Sequence, residues 1–431
     1  MQTASKKIVN GWAMYDWANS VYNLVITSTI FPAYYESVTK IGNDDTVVFL
    51  GRKFVNTALY NYAIAFAILL VAILIPILSS IADYKGNKKN FMRFFCTLGS
   101  IACASLFFFT GKMNLGIGIA CVVIACISFW SSLVFYNSYL PEIASEKDQD
   151  MVSAKGFTMG YIGSVILQII CLVFVFTMKD GALAARISFV LVGLWWLGFA
   201  QIPFSRLPIG VASASRPEKN IFANGFIELK KVFNQLKQMP VLKRFLASFF
   251  FYNMGVQTVM LAAALFGAKE LHMPTTNLIV TILIIQIVAI AGAYIMAKLA
   301  TRFGNLQVLA FVVVLWIFIC LAAYLTTTTI QFYFIAAAVG IVMGGIQSLS
   351  RSTYSKLMPV TKDTASFFSF YDVTEKIAIV IGLFIFGLLE ELTGNMRNSV
   401  LAIMVFFIIG LIILFTTISA QKKLNKNLDP L

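Results

Sequence analysis

The run Thr57–Ala82 reads TALYNYAIAFAILLVAILIPILSSIA, and DYKGNKKN follows it over positions 83–90. The run carries no charge, and as a helix rising 1.5 Å per residue it crosses a hydrocarbon core of ~30 Å. The segment after it can turn at Gly86 and holds Lys85, Lys88 and Lys89, the basic composition expected of a cytoplasmic loop. Working outward, comparable apolar windows precede it at Trp12–Tyr35 and follow it at Phe91–Phe109, Leu115–Leu140, Gly156–Met178 and Ile187–Ser205. Six more occupy Phe245–Ala268, Asn277–Ala297, Leu306–Leu325, Phe332–Leu349, Phe367–Leu389 and Val400–Ile418. The first window has no small-residue cleavage site after it and is interrupted by polar residues, so it is expected to be a retained helix.

Over 431 residues, 59% are hydrophobic and 12% charged, with a mean hydropathy of +0.84. Soluble proteins carry about 25% charged residues. This excludes a soluble enzyme, a secreted disulfide scaffold and a disordered chain. Strands of a membrane β-barrel alternate in hydropathy, which these windows do not. The expected fold is therefore all-α integral membrane, with twelve transmembrane helices in two six-helix bundles. The bundles are expected over residues 1–206 and 244–431, joined by a linker over 207–243. In that linker Phe222, Phe226, Leu229, Phe233 and Leu236 recur at helical spacing, with Lys230, Lys231 and Lys237 on other faces. That is the pattern of a basic amphipathic helix on the cytoplasmic leaflet.

An even number of crossings puts both termini on one side. That side holds 24 of the 33 basic residues, the other holds eight, and Lys376 falls inside a window. Both termini are therefore expected in the cytoplasm. The net charge of +14 follows the same pattern, so nucleic acid is not the expected partner. The six cysteines lie in apolar stretches without a Cys-x-x-Cys motif and read as packing residues. The single histidine, His272, lies beside Pro274 in a loop. One histidine and no phosphate-binding loop leave no metal cluster, catalytic triad or ATPase to expect, and no cofactor. Energy must come from solute or ion gradients.

The halves resemble each other. Residues 82–87 read ADYKGN and residues 300–305 read ATRFGN, a shift of 218 that matches Ala, Gly and Asn. The same shift carries Ser132 to Ser350, Tyr136 to Tyr354 and Pro141 to Pro359. Two parallel six-helix repeats place a substrate site between two bundles.

This topology resembles the major facilitator superfamily, whose loop after the second helix is matched by Asp83, Gly86, Lys88 and Lys89, although Ser79 and Tyr84 depart from it. The opening GWAMYDWANS (11–20) resembles the first-helix signature of the autophagy-type vacuolar amino-acid effluxers, a branch with many bacterial relatives. YNSYLP (136–141), YNMG (252–255), GGIQSLSRS (344–352) and FFSFYD (367–372) with Lys376 resemble further motifs of that family. Met254 stands where an acidic residue is usual and Glu375 where a small one is, which leaves ion coupling at those two positions in doubt. The resemblance spans the chain and implies export of amino acids or similar small polar solutes. It also implies a gating loop after the second helix and again after the eighth, with Asp83, Gly86, Lys88, Lys89, Arg302 and Gly304 as its residues. Asp83 can accept hydrogen bonds at a helix terminus and pair with a basic side chain across the bundle interface.

Ionisable groups inside membrane helices are functional candidates by default. Asp16 shares a helical face with Asn19 and Asn23, unless it caps the membrane interface. Asp372, Glu375 and Lys376 form a second group, with Asp372 and Lys376 spaced to pair along one helix, unless that helix starts later and the three lie in a loop. Asn137, Asn253, Gln257, Gln347 and Arg351 add polar groups on the fourth, seventh and tenth helices; with the first, these line the central cavity in the superfamily. Trp12, Trp17, Trp195 and Trp196 are expected in interfacial belts. The expected function is secondary transport by alternating access, with a small-molecule substrate, with protons as candidate partners and with the bilayer as solvent. An exporter of hydrophobic drugs or lipids, or a non-transporting receptor, are the alternatives. No Asn-x-Ser/Thr sequon occurs, and the outer loops are short, so a bacterial cytoplasmic (inner) membrane is expected.

Overall fold

A computed structural model describes residues 2–42, 44–210 and 221–428. Helices occupy all twelve windows. The first crossing is composite: α1 (Lys6–Val21), a π-helical stretch (Tyr22–Thr29) and α2 (Ile30–Thr39). Then come α3 (Asn56–Lys85), α4 (Lys88–Ser105), α5 (Leu115–Asn137), the short α6 (Leu140–Ile143), α7 (Gln149–Thr177) and α8 (Gly181–Arg206). After α9 (Ile221–Lys237), the second half runs α10 (Pro240–Glu270), α11 (Thr275–Phe303), α12 (Asn305–Leu325), α13 (Thr329–Leu357), α14 (Thr364–Thr393) and α15 (Met396–Leu428). Ten of these are long and apolar enough to cross a membrane alone. The π-stretch interrupts the first crossing, and the charges of α14 make it the other exception.

Apolar packing divides in two. One cluster is drawn almost wholly from α1–α8 and a second from α9–α15, so each half closes around its own core. Between α3 and α4, Gly86 sits in the left-handed region (φ 64) and its N–H bonds back to the last turn of α3. Only glycine adopts that geometry without a Cβ penalty. Within the second half, α11 and α13 approach so closely that a Cβ on Gly344 would lie 2.2 Å from the carbonyl oxygen of Ala289. Such backbone contact through small residues is how helices pack where lipid removes the hydrophobic drive.

Three features differ from the sequence reading. The loop after α2 holds a two-stranded hairpin, β1 (Thr46–Phe49) and β2 (Arg52–Val55), turned by Leu50 and Gly51 at positive φ. Trp12 and Trp196 are fully buried, and Trp17 stacks on Trp195 at 5.5 Å, so these rings pack inside the first bundle instead of forming a belt. Helix α9 docks at the ends of α3 and α14, burying Val232 and Leu236 while Phe233 stays half exposed. Leu229 of the expected stripe is half-buried and Phe233 stacks on Phe370 of α14 at 6.1 Å, so the stripe packs on the bundle ends in place of the expected leaflet. Residues 211–220 of the linker lie outside the described residues, as do the side chains of Phe222 and Phe226.

The tight α11–α13 contact is testable. Gly344→Val should destabilise by ~1–3 kcal/mol through overpacking. Gly116→Ala, where a Cβ meets nothing within 4 Å, should leave thermal stability in detergent unchanged or raised.

Candidate functional site

A cavity with about 1060 Å³ of non-atom space, part of it open solvent, lies between the halves. Ten of the eleven substrate-pathway candidates line it: Asp16, Asn19, Asn23, Asn137, Asn253, Gln257, Gln347, Arg351, Asp372 and Glu375. Lys376 stands just behind the wall. Sequence reasoning missed Trp130, Tyr161, Tyr252, Gln286 and Tyr371 as lining residues. Tyr252 and Tyr371 stand in the quoted motifs YNMG and FFSFYD without being singled out, and no motif marks Trp130, Tyr161 or Gln286; an aromatic in an apolar window looks the same whether it faces lipid, core or cavity.

The cavity's end nearest the termini is closed by Arg351. Its Nη1 reaches Asp16 Oδ2 at 3.3 Å and donates to Asn137 Oδ1 at 3.2 Å. Nε and Nη2 donate to the Oγ and carbonyl oxygen of Ser153 at 3.0 and 2.8 Å. The guanidinium also lies over the rings of Phe157 (4.2 Å), Trp12 (4.8 Å) and Tyr136 (5.4 Å). Tyr136 Oη donates to Asp16 Oδ2 at 2.7 Å, and Trp12 Nε1 donates to the Tyr136 carbonyl oxygen. Asp16 is therefore not an interfacial cap. It is buried and bonded across the halves. Gly156 makes room for this knot: a Cβ there would lie 2.6 Å from Asp16 Oδ2 and 2.9 Å from Arg351 Nη2.

Nearer the termini, further polar contacts join the halves. Asp83 accepts from the N–H groups of Ala365 (3.2 Å) and Ser366 (2.7 Å) and from Ser366 Oγ (2.8 Å). A carboxylate at the N-terminus of α14 satisfies orphan donors and meets the positive end of the helix dipole. The expected cross-interface cation is absent from this set; the partners are backbone donors. Lys88 forms an ion pair with Glu142 of its own half, and both bond Thr364 Oγ1 of the other (3.1 and 2.8 Å). Asp150 bonds Lys356 Nζ and Asn305 Nδ2, each at 2.6 Å. Lys89 donates to the Leu207 carbonyl oxygen within its own half. In the repeated loop, Arg302 is exposed against Phe303 and Gly304 turns the chain (φ 90); the cross-half contact falls to Asn305 instead. Higher up, Tyr161 Oη donates to Gln347 Oε1 at 2.7 Å. Among the described residues, no hydrogen bond or ion pair joins the two halves' loops on the face opposite the termini. The cavity is closed toward the termini and open away from them.

The second charged group lies within α14, which begins at Thr364, so the three residues are not a loop end. Lys376 Nζ sits 2.9 Å from Glu375 Oε2 and 3.3 Å from Asp372 Oδ2, and 3.6 Å from the centroid of the Trp130 ring. Glu375 accepts from Gln257 Nε2 at 3.0 Å. Three buried polar atoms on the cavity wall have no partner among the described residues: Asn19 Nδ2, Asn253 Nδ2 and Gln286 Oε1. Buried polar groups in proteins are nearly always satisfied, so these await water or solute. No cluster of metal ligands occurs among the described residues.

The family model described as "Vacuole effluxer Atg22 like" matches residues 4–427. The uncharacterized MFS-type transporter YxiO of Bacillus subtilis is 32% identical over 94% of this chain and 93% of its own. Autophagy-related protein 22 of Eremothecium gossypii is 26% identical over 97% and 92%. Among solved structures, the Escherichia coli fucose:proton symporter FucP, in its outward conformation, superposes with a TM-score of 0.70 at 14% identity, covering 95% of this chain and 97% of that one.

Two substitutions probe the closed end. Gly156→Ala should push Asp16 and Arg351 apart and lower stability by ~1–3 kcal/mol in a thermal-shift assay. Asp83→Ala should strip the α14 N-terminus of its acceptor, and cysteines placed near Ser366 should then react faster with a hydrophilic maleimide.

Proposed function

This chain belongs to the vacuole effluxer Atg22-like family, and we propose that it exports amino acids or similar small zwitterionic solutes, with proton coupling. That it is a multi-pass major facilitator transporter and not an enzyme follows from the family and fold. The cargo is our reading of the cavity wall, and one observation carries it. Asn19 and Asn253 line the cavity from the first and second halves, and their Nδ2 donors are buried there without a partner among the described residues. Such donors suit a carboxylate, while Glu375 on the same wall offers an acceptor to an ammonium group. About two thirds of the lining residues carry a polar group, which suits polar cargo, while apolar atoms supply the larger share of the exposed wall.

Binding a solute between the halves gives each half a share of its contacts, which is what couples occupancy to rocking. The charge asymmetry of the loops supports cytoplasmic termini in a bacterial inner membrane. On that reading the structure is closed to the cytoplasm and represents the releasing state of an exporter. Carboxylates Asp16, Asp372 and Glu375 are the candidate proton carriers, since their partners straddle moving surfaces or share one lysine.

The test is flux of radiolabelled amino acids in proteoliposomes, with and without an imposed pH gradient. Wild-type flux should rise with the gradient. Asp16→Asn and Asp372→Asn should reduce that stimulation to the level of protein-free vesicles. Flux indifferent to pH, or unchanged in both variants, overturns the coupling; flux of lipophilic dyes but no amino acid overturns the cargo.

A further inference from the structure

Lys376 is 1% exposed in the side chain and sits at the middle of a membrane-crossing helix. A buried ammonium needs a complete shell. Two of its partners, Asp372 and Glu375, lie on its own helix, and Glu375 is held in turn by Gln257 of α10. All of these move with the second half. A further contact comes from the other half: the indole of Trp130, on α5, faces Nζ at 3.6 Å. That distance is well inside the range in which a ring quadrupole attracts a cation, and burial strengthens the attraction. Trp130 also touches Phe129 of its own helix, edge to face at 5.0 Å, and lines the cavity.

We propose that Trp130 is a positioning residue for transport, completing the shell of Lys376 only while α5 and α14 stand together at the cavity wall. The ion pairs of Lys376 lie within the second half, so parting of the halves does not by itself break them. The π face is supplied by the opposite half and is lost when the two helices part. Trp130 thereby ties the stability of the charged group on α14 to the conformation open away from the termini. The inference rests on the central cavity being the transport site, and it makes no claim about cargo.

The test reads conformation without any substrate. Full-length protein in nanodiscs, on a cysteine-free background, carries spin labels at the exposed far-face positions Met113 and Thr276, and their separation is read by double electron–electron resonance. Wild type and Trp130→Phe, which keeps a π face, should share a population dominated by the long separation. Trp130→Leu should shift the ratio of long to short separations on the order of tenfold, the weight of one desolvated cation–π contact. Lys376→Met should shift it in the same sense, and adding Trp130→Leu to it should change nothing further. An unchanged distribution in Trp130→Leu overturns the proposal. So does a Trp130→Phe variant as shifted as Trp130→Leu, or an equal effect of Trp130→Leu with Lys376 removed, since either makes the indole mere packing. Because no cargo enters the measurement, its failure is distinct from a failure of amino-acid flux.

Discussion

A guanidinium 3% exposed inside a membrane protein has to be matched on every side, and Arg351 is matched by the opposite half of the molecule. Asp16, Asn137 and Ser153, and the rings of Trp12, Tyr136 and Phe157, all belong to the first bundle. Arg351 is a plug carried by one half and seated in a socket built by the other. The fit sets requirements elsewhere. Gly156 must lack a Cβ, Tyr136 must turn its hydroxyl onto Asp16, and Trp12 must be internal to present its face. Breaking one partner of such a buried pair typically costs several kcal/mol, because the other charge is stranded. The halves cannot part at this end until something replaces that shell, and water entering from the terminus side is the available substitute.

The seam as a whole has a polarity. On its terminus side the first half presents carboxylates: Asp16, Asp83, Asp150 and Glu142. The second half presents donors: Arg351, Lys356, Asn305, Thr364 (to Glu142) and the N-terminal amides of α14. Complementary charge of this kind fixes register between two surfaces more than it adds raw affinity, which suits an interface that must open and close repeatedly. The internal repeat contributes the backbone of this arrangement but not its side chains. Asp83 and its counterpart Thr301 occupy equivalent last turns, of α3 and α11, yet only Asp83 accepts from the facing helix. At the symmetry-related junction Asp150 reaches out from α7, and Asn305 receives it.

What could be read from the sequence divides along the same physical line. Apolar length sets where long helices form, so all twelve helical windows are legible, as is the turn at Gly86, where chemistry demands a particular residue. Charges inside apolar windows stand out against their background, and Asp16 and the group on α14 are found that way; Arg351 lies just past the window that ends at Leu349 and is marked only as a polar group of the tenth helix. Rotation of one helix against another leaves no such trace, since lipid-facing and core-facing residues are equally apolar. Hence Trp12 and Trp196 are expected in a belt but are buried in the bundle, Arg302 is favoured where Asn305 makes the contact, and Ser153, Gly156 and Trp130 leave no signal. The π-helical stretch was hidden for another reason: Thr29 Oγ1 donates to the carbonyl oxygen of Leu24 five residues back, a local choice no periodicity reports.

The two buried cations of the second half obey one rule. Arg351 takes three ring faces from the first half and Lys376 takes one, so each is partly solvated by aromatic surface that moves relative to it. A carboxylate partner alone would bind tightly and directionally, holding the halves in one state. A ring face is weaker and tolerant of sliding, and it excludes water while it lasts. Mixed shells of this sort keep the charges stable enough to bury and loose enough to release. A transporter needs both, because a seam sealed only by ion pairs would stay shut, and one sealed only by apolar contact would leave no reason for a charged solute to open it.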